Sequence, residues 1–420
     1  MLIVRSVEDT EKMIREQLVR PIGAEDIPLP AAAGRVLAED LTAREPVPAF
    51  TRSSVDGYAV RAQDTFGCGD AMPAMLKLAG EVLMGRLSDL TLQPGECAYV
   101  PTGGAIPAGA DAMVMIEDTD DYGDEYRYVR KSSPPGAHLV FAGDDVRAGQ
   151  LVLPAGTRLQ PQHIGTLAAL GQVRVTVARR PAVAILSIGN ELAATGTPIL
   201  RPGQVRDSNA PMLAAAVQAA GGLATIAPLL PDDAGMLATA IRQALAAADL
   251  VLISGGSSVG RQDEVAAVLD ALGPPGILQH GLALKPGKPT IIAQIAGKPV
   301  FGLPGHPMAA LFVCQLLVRP LILNLQGDSQ TDPIRVPAIL GTNIPSNQGR
   351  ESIVPVRLEP EPDSCLPARP GDRGRPAIAT PLFSKSGLIA TLGQCQGYIR
   401  IPRECEGLTA GSPVEVCLFP

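Results

Sequence analysis

The feature that most constrains this chain is a rhythm. Between about residues 181 and 327, short continuous apolar runs (182–188, 224–229, 250–253, about 277–284, 290–295 and 300–303) alternate with helix-length segments (211–220, 234–247, 263–272, 308–325). Brief apolar runs bounded by Gly and Pro read as strands buried on both faces. Strands alternating with helices of ten or more residues imply a mostly parallel sheet covered on both sides, a doubly wound α/β domain. In such a sheet ligands bind outside the carboxyl ends of the strands, so the residues at those ends carry the functional argument.

The chain's 420 residues exceed one hydrophobic core, and two to four domains are expected. The first twenty residues read as a helix, with Ser6 placed to cap it and Asp9 three positions on. A short helix is expected over 31–37. From about 46 to 149, apolar runs alternate with Gly and Pro turns, as in a β-domain, and the acidic, Tyr-rich segment 118–130 reads as an exposed hairpin. A small helix falls near 161–169. After Gly327 the rhythm stops, and residues 333–420 read as a small all-β domain with a proline-rich surface loop at 359–376.

Composition removes several classes of function. Aromatics are 3% with no Trp, which leaves little to stack single-stranded bases, and a net charge of −7 argues against a nucleic-acid partner. An acidic chain that handles anions must concentrate positive charge locally, which makes lysines beside glycines informative. The seven cysteines (68, 97, 314, 365, 395, 405, 417) are odd in number and scattered, with no C-x-x-C pair. That suits neither a disulfide framework nor a zinc site, but it suits reduced thiols in the cytoplasm. Glu8, Asp9, Glu11 and Glu16 near the N-terminus argue against a signal peptide. Arg319 and Pro320 inside the longest apolar stretch point to a buried, interrupted helix rather than a membrane span.

Three strand ends carry unusual residues. In S-I-G-N-E-L (187–192), Gly189 permits a tight turn, and Glu191 is either a carboxylate aimed at a ligand or a solvated acid. In I-S-G-G-S-S-V-G-R-Q-D (253–263), Gly255, Gly256 and Gly260 let backbone N–H groups approach an anion, and Ser257 and Ser258 add hydroxyls. The helix that follows adds its positive end. Asp263 either caps that helix or helps hold a divalent cation beside phosphate oxygens. The loop is neither a Walker A sequence nor a G-x-G-x-x-G fingerprint. In L-K-P-G-K-P (284–289), Lys285 and Lys288 flank a Pro-Gly turn and either neutralise an oxyanion or face solvent. In G-L-P-G-H-P (302–307), Pro304, Gly305 and Pro307 form a rigid corner, with His306 near the start of the long helix. Two earlier segments, R-S-S-V-D-G-Y-A-V (52–60, with Asp56) and P-T-G-G-A-I-P-A-G-A-D-A-M-V-M (101–115, with Thr102), read on physical grounds as turns.

Seven motifs occur in order along nearly the whole chain: S-S-V-D-G-Y-A, P-T-G-G with P-x-G-A-D-A, G-N-E-L, R-D-S-N (206–209), S-G-G-S-S-V-G-R-Q-D, K-P-G-K-P and L-P-G-H-P. Each is weak alone. Together they resemble the molybdopterin molybdenumtransferase family, which includes MoeA of bacteria and the E domain of gephyrin.

The resemblance implies an elongated four-domain subunit in a homodimer. Residues 1–45 with 146–180 would form a linker and dimerisation domain, and 46–145 a β-rich domain with the D-G-Y-A motif. Residues 181–327 would form a MogA-like, doubly wound molybdopterin-binding domain, and 328–420 a small β-barrel-like domain. The implied substrate is adenylylated molybdopterin, into whose dithiolene molybdate is inserted as AMP leaves, with magnesium as the usual metal. The cleft would lie between the α/β domain of one subunit and the D-G-Y-A domain of the other. Carried over by motif, Asp56 and Thr102 face the partner's pocket, while Glu191 and Asp263 contact substrate or Mg2+. Gly255, Gly256, Ser257, Ser258, Gly260, Lys285, Lys288, Pro304 and Gly305 hold phosphate or molybdate. Arg350 (in G-R-E) and Ser386 (in K-S-G-L) are the C-terminal domain's contribution. The implied partners are a molybdopterin adenylyltransferase and the molybdoenzymes that accept the cofactor. No membrane is involved. Three positions depart from the family pattern: Asn190 replaces an acid, His306 an amide and Ala309 a hydroxyl.

Molybdate and the substrate's pyrophosphate are both anionic, so their approach is opposed electrostatically. Lys285, Lys288, the loop N–H groups and magnesium would offset that repulsion. Two rival readings exist. Adenylyltransferases of the MogA and MoaB type share the G-G-S-x-G loop but lack the D-G-Y-A and C-terminal β domains. A non-catalytic scaffold or pterin-binding chaperone would call for a long linker or an extra interaction domain, and neither is present.

Overall fold

The computed structural model describes residues 4–255, 259–360, 377–383 and 389–419, without the side chains of 259–263. Residues 361–376, most of the expected proline-rich loop, lie outside the described residues.

The central sheet has six strands in the order Leu223–Ile226, Ala182–Ile188, Leu250–Gly255, Lys298–Leu303, Ile291–Ile295, Pro275–His280. The first four are mutually parallel. Ile291–Ile295 runs antiparallel to both neighbours, because Ala296 (φ 49°) and Gly297 (φ 76°) fold it onto Lys298–Leu303 in a tight turn. Two left-handed central residues give the turn whose twist matches that of paired strands. Alternation along each strand feeds two cores. Val183, Ile185 and Leu252 face the helices Asn209–Ala219 and Pro307–Val313, while Ala184, Leu186, Val251 and Ile253 face Ala234–Ala247 and Val259–Ala271.

The long apolar segment is one interrupted helix: Pro307–Val313, a wider π-type turn at Cys314–Val318, then Arg319–Leu325. Pro320 has no N–H to donate and its ring crowds the preceding turn, which accounts for the widening. The helix has the length and apolarity of a membrane span, yet 72% of its most apolar window is buried inside the protein.

Helix Val7–Gln17 begins as expected, with Ser6 Oγ accepting from the Asp9 N–H at 3.0 Å. It buries Val7, Met13 and Ile14 in the same core as Leu282, Leu321 and Tyr398. The helix expected over 31–37 is only a single 3-10 turn, Leu29–Ala31. Gly34 reverses the chain at φ 77°, and Val36 and Leu37 are already in β-bridges to Arg158 and Val177. Around them Ala24–Pro28 pairs with Arg174–Ala178, and Leu41–Thr42 with Leu151–Leu153.

A second six-stranded sheet, in the order Ala112–Met115, Gly57–Val60, Glu96–Val100, Ala74–Glu81, Tyr126–Val129, Thr119–Asp120, holds the D-G-Y-A motif next to its centre. The segment expected as a hairpin forms its last two strands. The C-terminal region closes on itself: Glu351–Glu359, Ala377–Pro381, Arg335–Leu340, Pro413–Leu418 and Gly397–Ile401 pair in sequence and return to Glu351–Glu359. A closed barrel leaves no unpaired edge.

A buried ion pair ties the N-terminal body to the segment that leaves the α/β domain. Arg158 Nε donates to Asp328 Oδ2 at 2.9 Å and Nη1 donates to the Gly34 carbonyl at 2.7 Å, with the Asp328 side chain 1% exposed. Truncating the arginine strands a buried carboxylate. Arg158→Ala is expected to cost about 2–4 kcal/mol, read as a lower urea midpoint. An unchanged midpoint would show that the joint contributes nothing.

Candidate active-site cleft

After Pro275–His280 the chain leaves the α/β sheet. Leu284–Lys285 instead pairs, in parallel, with Glu351–Ser352 of the barrel, and the Glu351 N–H donates to the Ala283 carbonyl at 3.0 Å. The strand expected near 277–284 therefore ends early, because its last residues belong to another sheet. The Pro-Gly turn that follows is closed by Leu282 N–H to the Lys288 carbonyl (3.0 Å) and by Thr290 Oγ1 to the Gly287 carbonyl (2.7 Å). Gly287 has φ 134°, and a Cβ there would come within 2.9 Å of Leu284 and 3.0 Å of Val313. Only glycine suits a turn packed this closely.

The joint opens a cleft of about 670 Å³ between the α/β domain and the barrel. Lys285, Lys288, Pro304, His306 and Ala309 line one side, and Arg350, Ile353, Leu382 and Phe383 the other. No carboxylate is among its described lining residues. Three cationic residues beside an apolar wall favour a compact oxyanion attached to a less polar body. Behind Arg350, the adjacent Glu351 is gripped through both oxygens by Arg400 (2.5 and 3.2 Å), which also reaches Glu11 at 3.7 Å. Burial raises the Glu11 carboxyl above its ordinary range, with Arg400 opposing the shift.

The other strand ends meet at one edge. Gly255 pairs with Ile188, has φ 111°, and a Cβ on it would strike the Ile188 carbonyl oxygen at 2.1 Å. Gly189 has φ 155°, and a Cβ there would lie 2.8–2.9 Å from the Glu191 carboxylate, which folds back over the turn. Asn190 N–H donates to Asp232 Oδ2 and Asp232 N–H to Asn190 Oδ1, each at 3.2 Å. Sequence reasoning missed Asp232. A usable signal was the doublet at 232–233: helix Ala234–Ala247 needs one cap, and Asp233 supplies it through Met236 N–H at 2.7 Å. An acid at position 190 would set a like charge beside Asp232, and the amide avoids that.

Gly256, Ser257, Ser258 and Ser386 lie outside the described residues. Gly260 and Asp263 fall within helix Val259–Ala271. Asp263 is its fifth residue, so the capping alternative for it is overturned. The helix starts four residues earlier than its apolar pattern suggested. Among the described residues, no group of three or more His, Cys, Asp or Glu side chains is placed to hold a metal ion.

Asp56 and Thr102 come together in the other sheet and do not line this cleft. Asp56 Oδ1 accepts from Thr102 N–H (2.7 Å) and Thr102 Oγ1 (3.0 Å), and these bonds hold the carboxyl below its usual range. A Cβ on Gly57 would lie 1.9 Å from the Val114 carbonyl oxygen, so the D-G turn cannot accept another residue without moving the sheet.

A wound α/β domain with glycine-opened strand ends, joined to a β-barrel across a cation-lined cleft, defines a multidomain protein with its candidate site between domains. Family models described as "MoeA N-terminal region (domain I and II)", "Probable molybdopterin binding domain" and "MoeA C-terminal region (domain IV)" match residues 5–171, 184–324 and 337–419. Molybdopterin molybdenumtransferase 2 of Mycobacterium tuberculosis is 34% identical over 424 residues, covering 98% of this chain and 99% of its own. The Bacillus subtilis molybdopterin molybdenumtransferase is 31% identical over 389 residues, covering 92% and 87%. A crystal structure of the molybdopterin biosynthesis moeA protein from Pyrococcus horikoshii OT3 superposes with a TM-score of 0.85 at 30% identity, covering 99% of this chain and 100% of that one. This chain belongs to the molybdopterin molybdenumtransferase family.

The Asp56–Thr102 pair is directly testable. A depressed carboxyl pKa means the contact is present above the unfolded value of 3.8 and is lost as pH falls through the lower folded value. Amide exchange at Thr102 should stay protected at mildly acidic pH and become fast in Asp56→Ala at every pH. Equal protection in the two proteins would contradict the assignment.

Proposed function

We propose that this protein inserts molybdate into adenylylated molybdopterin, releasing AMP and completing the molybdenum cofactor. The observation that carries the reading is the cleft in which Lys285, Lys288 and Arg350 converge with no described carboxylate among them. Molybdate is a compact dianion, and three cations on two separate domains surround it better than one flexible side chain would. The apolar side, with Ile353 and Phe383, suits the pterin. The glycine loop after Leu250–Gly255 and the positive end of the following helix suit the substrate's phosphates. In this reading Gly255, Gly256, Ser257, Ser258 and Gly260 cradle phosphate, and Pro304, Gly305 and Ser386 complete the pocket.

Magnesium would be held by carboxylates at the strand ends. Glu191 and Asp232 offer hard carboxylate oxygens at the Gly189 turn, and Asp263 stands in the helix after the glycine loop. An ion held there would neutralise phosphate oxygens as the adenylate leaves. As the family resemblance implies, Asp56 and Thr102 are assigned to the cleft of a second subunit, and the proposed working form is a homodimer; their position outside the cleft of their own chain is compatible with that. A cytoplasmic site of action is part of the same proposal, with a molybdopterin adenylyltransferase supplying the substrate and molybdoenzymes accepting the product.

Molybdate-dependent release of AMP from adenylylated molybdopterin tests the reading. Lys288→Ala and Arg350→Ala are each expected to raise the molybdate concentration for half-maximal release about tenfold or more, the scale of one charged hydrogen bond. Release that ignores molybdate, or variants that match the wild type, would count against the proposal. Asp263→Ala should abolish magnesium-dependent release, and normal turnover at saturating magnesium would remove it from the mechanism.

A further inference from the structure

The R-D-S-N segment (206–209) does not line the cleft, yet two of its side chains are buried at the ligand-binding edge of the sheet. Asp207 is 6% exposed, and its Oδ1 accepts from the N–H groups of Asn209 (3.0 Å) and Ala210 (3.1 Å), the first residues of helix Asn209–Ala219. That carboxylate caps the helix and leaves the Asn209 side chain free for another task. Asn209 is 7% exposed, and its Nδ2 donates twice, to Ser254 Oγ and to the Gly305 carbonyl, both at 2.8 Å. Ser254 immediately precedes Gly255, the last residue of strand Leu250–Gly255. Gly305 stands between Pro304 and His306, both of which line the cleft.

We propose that Asn209 is a positioning residue for the reaction: its one amide nitrogen sets the spacing between the end of strand Leu250–Gly255 and the corner at 304–306. This rests on the proposed insertion of molybdate, because the substrate's phosphates and the incoming oxyanion would occupy those two places and must be held in register.

The geometry selects the residue type. Two acceptors on separate segments need two N–H groups on one short arm, and the amide nitrogen provides both. The Gly305 carbonyl can only accept, which fixes which way the amide points. Asn209 Oδ1 is buried with no hydrogen-bond partner among the described residues, so there the side chain is held by what it donates. Aspartate has the same shape but no donor. The Ser254 hydroxyl could turn toward it, but the Gly305 carbonyl would then face a carboxylate, and the corner would be released.

The test is Asn209→Asp in the full-length protein, assayed by molybdate-dependent AMP release. The expected result is a kcat about tenfold lower per folded molecule, with the KM for adenylylated molybdopterin changed less than about threefold; the buried charge is also expected to lower the thermal unfolding midpoint. Amide exchange at Gly255 and Gly305 should quicken together while the rest of the sheet is unchanged. Ser254→Ala removes only the loop-side acceptor and should lower kcat in the same sense by about threefold. It serves as the test if the aspartate variant does not fold. Wild-type kcat per folded molecule in these variants would overturn the assignment of Asn209 while leaving the activity in place. A wild-type protein with no molybdate-dependent release would instead overturn the reading of the site itself.

Discussion

Two residues of parallel strand pairing, Leu284–Lys285 against Glu351–Ser352, hold the site together. Without that ladder the K-P-G-K-P turn would belong to the α/β domain alone and Arg350 to the barrel alone. Apolar packing of Phe312 against Tyr398 and Phe419 holds the two domains together, while the backbone ladder fixes their register and the grip of Arg400 on Glu351 and Glu11 supports it from behind. The pairing sets like charges along one cleft, where the proposed oxyanion would offset them.

The remaining site geometry depends on backbone proximity. Gly255 approaches the Ile188 carbonyl more closely than any Cβ permits, and Gly189 makes room for the returning Glu191 carboxylate. Buried polar contacts join these strand ends as well as packing, since Asn209 reaches both Ser254 and Gly305. A protein that brings two anions together needs fixed donors on several segments, and such donors are useful only if the segments cannot drift.

Much of this was legible in the sequence. The rhythm of 181–327 gave the wound domain because strands buried on both faces must be apolar throughout, and the glycine and proline motifs marked the strand ends because few other residues can turn there. Some features were not legible, for physical reasons. The reversed strand Ile291–Ile295 reads like its parallel neighbours, since burial and not direction sets its composition. The stretch 31–37 has helical composition, but Gly34 and pairing with distant strands hold it extended. Asp232 carries no motif and gains its place only through a turn shared with Asn190. Nothing in the local pattern of Leu284–Lys285 says that its partner lies in another domain, because strand pairing is a long-range choice.

The central claim is that an oxyanion seats between the K-P-G-K-P turn and the barrel. Crystals of the protein grown with tungstate, a heavy stand-in for molybdate, test it through the anomalous scattering of the metal. The account requires a peak within hydrogen-bonding range of Lys285, Lys288 and Arg350. A fully occupied peak elsewhere, with that cleft empty, would contradict it.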